Sequence, residues 1–110
     1  MRGTIGSEVR RLDDAGLSRA LRSIGYACFV EHFETLTDES LSLASAVDRL
    51  ATVSTWTEAG RRMRVSNARR IGRAGRLDDA LRLVAAAGRI EPRIAEAARR
   101  RLAERCSDRP

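Results

Sequence analysis

Seven arginines lie within residues 61–76, and no carboxylate lies among them. Guanidinium groups this close together repel one another unless water or anions surround them, and phosphate is an anion that arginine binds through paired hydrogen bonds. Ser66 and Asn67 add short polar side chains that could reach a phosphate or a base edge. The candidate nucleic-acid-binding residues are therefore Arg61, Arg62, Arg64, Ser66, Asn67, Arg69, Arg70, Arg73 and Arg76.

The positive charge of the chain is concentrated in this segment. All 21 basic residues are Arg, which a GC-rich coding bias could also produce. Residues 1–37 carry as many acids as arginines, residues 38–60 are acidic, and residues 77–110 carry a small excess of Arg. Residues 61–76 therefore carry a charge of +7, and the rest of the chain reduces the formal net charge to +6. This concentration of positive charge is typical of a protein that binds nucleic acid, with DNA favoured over RNA.

The basic segment also has a second interpretation. Its arginines could pair with the acidic residues 38–60, or they could dock onto an acidic partner protein, and the chain would then be a helical adaptor or a small assembly subunit. The two hypotheses differ in whether the arginines form an open ridge or are neutralised by carboxylates. The arginines in question are Arg62, Arg69, Arg73 and Arg76, and the carboxylates are Asp38, Glu39, Asp48 and Glu58.

Cys28 and His32 are four residues apart, so both could lie on one side of a helix, as two metal ligands would. No second pair of ligands with suitable spacing follows them. Glu31 and Glu34 flank the histidine, but the chain has no glycine-rich phosphate loop and no nucleophile motif. We therefore expect neither an enzyme nor a bound metal or other cofactor, and we expect both cysteines to be free thiols.

The elements that carry these residues are predicted to be helices. Apolar residues recur at helical spacing and do not alternate as they would in strands. We expect an all-α, compact bundle of five or six short helices. The predicted helices lie at about 17–36 with a break or bend at Gly25, at 39–51 after an Asp38 cap, at 56–74, at 77–87 and at 92–104.

The helix over 56–74 is predicted to have an apolar face and a basic face. Thr55 and Glu58 have the spacing of a capping box at its start. At about 100° per residue, the buried stripe would contain Trp56, Gly60, Met63, Ile71 and Ala74. The opposite, exposed face would contain Arg62, Ser66, Arg69 and Arg73, with Val65 towards this side. We expect Trp56, Met63 and Ile71 to share one core with Phe29, Phe33, Val47 and Leu50.

Residues 59–71, AGRRMRVSNARRI, resemble the middle of a helix-turn-helix DNA-binding motif. A small residue, Met63, Val65 and Ser66 stand where that motif has alanine, a core side chain, valine and serine. Arg64 replaces the usual turn glycine, so a longer turn at 52–55 before a helix over 56–74 fits the periodicity better. The resemblance implies a helix-turn-helix-like unit and a role in transcription regulation, and it is compatible with a homodimer.

The chain is predicted to form a single helical domain over residues 1–110, because shorter pieces would not bury a sufficient core. Residues 1–10 and 106–110 are expected to fray. The N-terminal sequence lacks the apolar stretch of a signal peptide, and no apolar run is long enough to cross a membrane. We therefore expect a cytoplasmic protein without a membrane partner.

Overall fold

The helical prediction is confirmed by a computed structural model, which describes residues 11–107. This part of the chain forms seven α-helices and no strand. In chain order they are α1 (Asp14–Ile24), α2 (Tyr26–Glu31), α3 (Phe33–Thr37), α4 (Leu43–Ala51), α5 (Glu58–Arg73), α6 (Leu77–Ala86) and α7 (Pro92–Ser107). The predicted fraying of residues 1–10 lies outside the described residues, whereas α7 extends past the predicted end at 104.

The first predicted helix is divided into three helices. For this reason residues 11–107 form seven helices, where five or six were predicted. Gly25 has φ of 93°, a conformation that residues with a Cβ rarely adopt. It ends α1, and its N–H donates a hydrogen bond to the carbonyl oxygen of Leu21. A second break follows at His32, where φ is −114° and ψ is 25°. The break at Gly25 was one of the two predicted alternatives, but the break at His32 was not predicted.

Two helices begin later than the sequence suggested. The Ser42 hydroxyl accepts the N–H of Ser45 at 3.0 Å and starts α4, so Asp38 is not its cap. The Asp38 carboxylate instead accepts the N–H of Ser40 at 2.9 Å and its hydroxyl, and these hydrogen bonds lower the pKa of Asp38. This is a local turn, which competes with the helix for the same backbone groups.

The start of α5 is displaced in the same way. The Thr57 hydroxyl accepts the N–H of Gly60 at 3.0 Å, so Thr57 is the N-cap and the predicted capping box from Thr55 to Glu58 does not form. At its other end, the N–H of Gly75 binds the carbonyl of Gly72 and the N–H of Arg76 binds the carbonyl of Ile71. This Schellman arrangement uses the positive φ of Gly75, which is 73°, and ends α5 at Arg73, one residue before the predicted end at 74.

Helix α5 lies at the centre of the packing. It contacts α1, α3, α4 and α6, whereas α6 and α7 form a hairpin and α7 also packs against α2. The Phe29 and Phe33 rings meet edge to face with centroids 5.4 Å apart, and the predicted core residues Val47, Leu50 and Ile71 are buried with them. None of the helices in residues 11–107 has the length and hydrophobicity that a membrane crossing requires.

The position of α5 can be tested by comparing Ile71→Ala with Met63→Ala. Ile71 is fully buried, whereas Met63 is 40% exposed. Truncating a buried isoleucine removes packed methyl groups and leaves a cavity, so we expect Ile71→Ala to lower the free energy of unfolding by about 2–5 kcal/mol. Met63→Ala should change it by less than about 0.5 kcal/mol. Urea denaturation followed by circular dichroism measures both values, and similar losses for the two variants would contradict this packing.

Candidate nucleic-acid interface

The side of α5 that faces solvent is rotated about the helix axis from the predicted one. Val65, Ala68 and Ile71 are fully buried, because α5 packs this side against its neighbouring helices. Val65 was predicted to lie towards the basic side and Met63 to lie in the core, and both predictions are wrong. The exposed residues lie opposite and define the outer stripe of α5, which consists of Arg62, Met63, Ser66, Arg70 and Arg73.

The helix is continuous through residues 64–67, so the short turn of the helix-turn-helix alignment is not present there. Asn67 lies within the helix, half-buried, and its side chain donates to the carbonyl of Met63 at 3.0 Å. Residues 52–57 connect α4 to α5. Whether this unit acts as a DNA-binding motif stays a prediction.

Arg64 is a structural residue and does not lie on the outer stripe. Its Nη1 donates to the carbonyl oxygens of Ser23 at 3.2 Å and of Ile24 at 2.6 Å, the last two residues of α1. The carbonyls at a helix C-terminus have no partner within the helix and carry partial negative charge, so a guanidinium is a suitable ligand for them. The same guanidinium stacks 4.1 Å from the ring centroid of Trp56. Arg61 donates to the backbone oxygen of Trp56 and holds the same connection.

Arg69 was predicted to be exposed, and the structure buries it. Its side chain lies between α5 and the connection that precedes α4, and the residue is only 9% exposed. Nη2 donates to the carbonyl oxygens of Asp38 at 3.2 Å and Leu41 at 2.7 Å. Arg69 is therefore not on a surface that a nucleic acid could reach.

Arg76 also has internal partners. It donates to Asp14 at 2.7 Å, to Asp79 at 2.9 Å and to the carbonyl of Leu12 at 2.9 Å. The hydrogen bond to Asp14, followed by that to Asp79, raises the pKa of Arg76 further above its ordinary value. This residue joins the first turn of α6 to the first turn of α1, and neither carboxylate was predicted as its partner.

Arg62 and Arg73 do lie on the outer stripe, and each has one carboxylate. Arg62 pairs with Glu58 one turn earlier at 3.2 Å, and Arg73 forms a two-point contact with Glu39 at 2.9 and 3.1 Å. Both carboxylates were among the four named as candidate neutralising groups. Each of these ion pairs is exposed to solvent, where such pairs contribute about 0–1 kcal/mol to stability. An anion that binds the guanidinium more tightly than the carboxylate does can therefore replace it.

Arg70 and Ser66 are the members of the predicted set that remain free. Both are exposed, and neither side chain forms a hydrogen bond or an ion pair with any residue in 11–107. The predicted set therefore separates into two groups. Five residues bind within the molecule, namely Arg61, Arg64, Asn67, Arg69 and Arg76. The accessible polar groups are those of Arg62, Ser66, Arg70 and Arg73.

The residues considered as metal ligands or catalytic groups all contact other parts of the protein. They are Cys28, Glu31, His32 and Glu34. The His32 ring meets Trp56 edge to face at a centroid distance of 6.1 Å, and Cys28 is buried. Glu31 pairs with Arg93 at 2.9 Å and Glu34 with Arg101 at 3.2 Å, so both carboxylates are directed towards α7. Residues 11–107 contain no group of three or more potential metal ligands.

Comparisons with protein-family models, with curated proteins and with solved structures found no match to this chain.

Arg69 and Arg70 are neighbours with opposite environments, and this gives a matched pair of variants. Arg69→Ala leaves the carbonyls of Asp38 and Leu41 without their donor. Hydrogen bonds to charged groups contribute about 1.5–3 kcal/mol, and because the Arg69 Nε is buried without a partner we expect a loss near the lower end, about 1–2 kcal/mol of unfolding free energy. Arg70→Ala should change it by less than about 0.5 kcal/mol. Thermal and urea unfolding measure the difference, and equal stabilities would show that Arg69 is not buried as described.

The two cysteines should differ in reactivity with a thiol reagent. Both are free, but Cys28 is buried and Cys106 is exposed. Burial raises the pKa of the Cys28 thiol to about 11, with Arg64 opposing this in part, so at pH 8 about one Cys28 in a thousand is a thiolate. We expect one fast equivalent of reagent consumed at Cys106 and a slow second equivalent that requires opening of the fold. Variants Cys28→Ala and Cys106→Ser assign the two phases, and a fast phase that persists in Cys106→Ser would contradict the burial of Cys28.

Proposed function

We propose that this protein binds nucleic acid, with duplex DNA as its preferred partner, through the outer stripe of α5. The observation that carries the proposal is Arg70, an exposed guanidinium without an anion among residues 11–107 that lies between two arginines whose ion pairs are exposed. With a rise of about 1.5 Å per residue, the stripe from Arg62 to Arg73 is about 16 Å long. Duplex DNA has one phosphate charge per about 1.7 Å of axis, so several phosphates lie within reach.

Binding to DNA exchanges the carboxylate partners of the arginines for phosphates. Glu58 and Glu39 hold Arg62 and Arg73 in exposed pairs, and their release costs little. A phosphate then accepts two hydrogen bonds from each guanidinium, and its condensed counterions are released into solution. Three arginines at phosphates give a slope of log K against log salt of roughly −2.7 per monomer.

The burial of α5 favours contacts to the phosphate backbone over the reading of bases. A recognition helix that enters the major groove must present several side chains to the base edges. Here α5 is packed against four helices and offers only its outer stripe, in which Ser66 is the one short polar residue. We therefore propose a regulatory or accessory protein with weak sequence preference.

A second candidate function is supported by Met63. This residue is 40% exposed and lies within the outer stripe beside Arg62 and Ser66. Methionine and arginine are both enriched at protein interfaces, whereas an apolar side chain gains little from a phosphate backbone. The outer stripe would then dock onto an acidic surface of a partner protein, and the chain would be a helical adaptor.

The test compares two triple variants that remove the same charge. Arg62→Ala with Arg70→Ala and Arg73→Ala alters the outer stripe. Arg89→Ala with Arg99→Ala and Arg100→Ala alters exposed arginines on the α6–α7 hairpin, one of which is also in an exposed ion pair. Binding to fluorescent duplex DNA is followed by anisotropy across a salt series. We expect the first variant to bind at least about tenfold more weakly with a flatter salt slope, and the second to retain most of the affinity.

Three outcomes would contradict this proposal in whole or in part. Wild-type protein that does not bind duplex DNA, duplex RNA or single-stranded DNA at low salt has no nucleic-acid function of this kind. Equal losses in the two triple variants would mean that only the net charge matters. Duplex RNA bound more tightly than DNA would reverse the stated preference. Met63→Ala distinguishes the adaptor function from DNA binding, because it should weaken a protein complex and leave DNA binding unchanged.

A further inference from the structure

Two arginines of α1, Arg19 and Arg22, have no role in the packing of the fold. Both side chains are exposed, and neither forms a hydrogen bond or an ion pair with any residue in 11–107. They are three residues apart on one helix, so they are neighbours on its surface, and like charges at this spacing repel each other. An anion that contacts both guanidinium groups would remove this repulsion.

The acids at the start of α1 do not neutralise these two arginines. Asp13 accepts the N–H of Gly16 at 2.7 Å and caps the helix. Asp14 binds Arg76 at 2.7 Å. The remaining turns of the helix, residues 15–24, contain two arginines and no acid. The positive charge of α1 was hidden in the sequence because the acids of residues 1–37 balance it in number, but in the structure the two nearest acids have other partners.

Helix α1 runs antiparallel to α5, and hydrogen bonds at the two ends of the pair fix its register. Near the start of α5, Arg64 donates to the carbonyl oxygen of Ile24 at the end of α1. Just after the end of α5, Arg76 donates to the carboxylate of Asp14 at the start of α1. The two helices therefore lie side by side along most of their length, which agrees with α5 being the main packing partner of α1.

The exposed side of each helix has two edges, and contacts with the other helices identify which edges adjoin. On α1, Ser18 lines a groove against α6, so the other edge of the exposed side, which carries Arg19, adjoins α5. On α5, Arg73 binds Glu39 in the connection before α4. The other edge of the outer stripe, which carries Arg70, therefore adjoins α1.

Arg19 and Arg70 also lie at the same level along the helix pair. Arg70 is midway in sequence between the two arginines that bind the ends of α1, and Arg19 is midway between their two acceptor residues. The axes of packed helices are about 8–10 Å apart. The basic surface thus continues from the outer stripe onto α1, where Arg22 extends it by a further turn.

We propose that Arg19 and Arg22 bind phosphates of duplex DNA together with the outer stripe, so that the nucleic-acid surface spans α1 and α5. This inference rests on the proposed function and adds two residues that lie outside the basic segment 61–76. In duplex DNA, grooves about 6 and 12 Å wide separate the two phosphate backbones, and the spacing of the two helix axes is comparable. Two rows of arginines can therefore contact both strands, whereas a single strand offers only one row of phosphates.

Two double variants that remove the same charge test this inference. Arg19→Ala with Arg22→Ala removes the arginines of α1. Arg89→Ala with Arg100→Ala is the matched control, because these two arginines of the α6–α7 hairpin are also exposed and without an ion pair in the described part of the chain. Binding to fluorescent duplex DNA is followed by anisotropy over a salt series, and circular dichroism verifies the helical content of each variant.

The salt dependence gives the expected result. Each phosphate contact contributes about −0.9 to the slope of log K against log salt, so five arginines at phosphates predict roughly −4.5 per monomer for the wild type. The α1 variant should return the slope to roughly −2.7 and bind at least about tenfold more weakly at low salt. The control variant should keep a slope near that of the wild type. We also expect the wild type to bind duplex DNA more tightly than single-stranded DNA.

The possible failures separate this inference from the proposed function. If the α1 variant binds as the wild type does while loss of the outer stripe abolishes binding, the inference is wrong and the proposed function stands. Equal losses in the two double variants, or single-stranded DNA bound as tightly as duplex, also overturn the inference. Wild-type protein that binds no nucleic acid overturns both. Arg22 lies in the last turn of α1, where positive charge favours the helix. If the double variant loses helicity, Arg19→Ala alone must flatten the slope by about 0.9.

Discussion

The hydrogen bond from an arginine side chain to the carbonyl end of another element is the interaction on which this fold depends. Helix α5 is central, so the arginines on its flanks must either be solvated or find acceptors inside the molecule. Arg64 finds them at the end of α1, and Arg69 finds them in the connection before α4. Arg101 does the same at the end of α2, where its Nε donates to the carbonyl of Val30 at 2.9 Å. Short helices have many free carbonyls in proportion to their length, and the arginines satisfy some of them.

This use of arginine changes the meaning of the basic segment. A run of seven arginines without an acid suggests a continuous positive surface, but in three dimensions each residue has its own environment. Arg61, Arg64 and Arg69 bind backbone carbonyls. The arginines near the ends of the segment bind carboxylates from α5 itself, from the 38–41 connection, and from α1 and α6. Arg70 alone among the seven has neither kind of partner within residues 11–107. The protein can therefore present a basic stripe on a helix that is otherwise part of the core.

The periodicity of apolar residues was sufficient to predict the helical class, the start of α6 at Leu77 and the start of α7 at Pro92. Helix starts were less predictable where several polar residues compete as caps, as Asp38 competes with Ser42 and Thr55 with Thr57. The phase of α5 was wrong because it was anchored on Trp56, which lies before the helix. Only Val65, Ala68 and Ile71 define its true buried side, and three small or medium residues among arginines give a weak pattern. The partners of Arg64 and Arg69 depend on where distant connections lie in space, and a single sequence does not contain that information.

The bonds made by Arg76 connect positions that are far apart in the chain, because Asp14 is 62 residues away and Leu12 is 64 residues away. During synthesis on the ribosome, α1 therefore emerges long before the group that fixes its first turn. The apolar side of α1 also lacks its main packing partner until α5 has been synthesised, since α1 packs mainly against that helix. The first half of the chain must remain without a completed core until residues 58–79 have left the exit tunnel, and during that interval Leu17, Leu21 and Ile24 are available to chaperones.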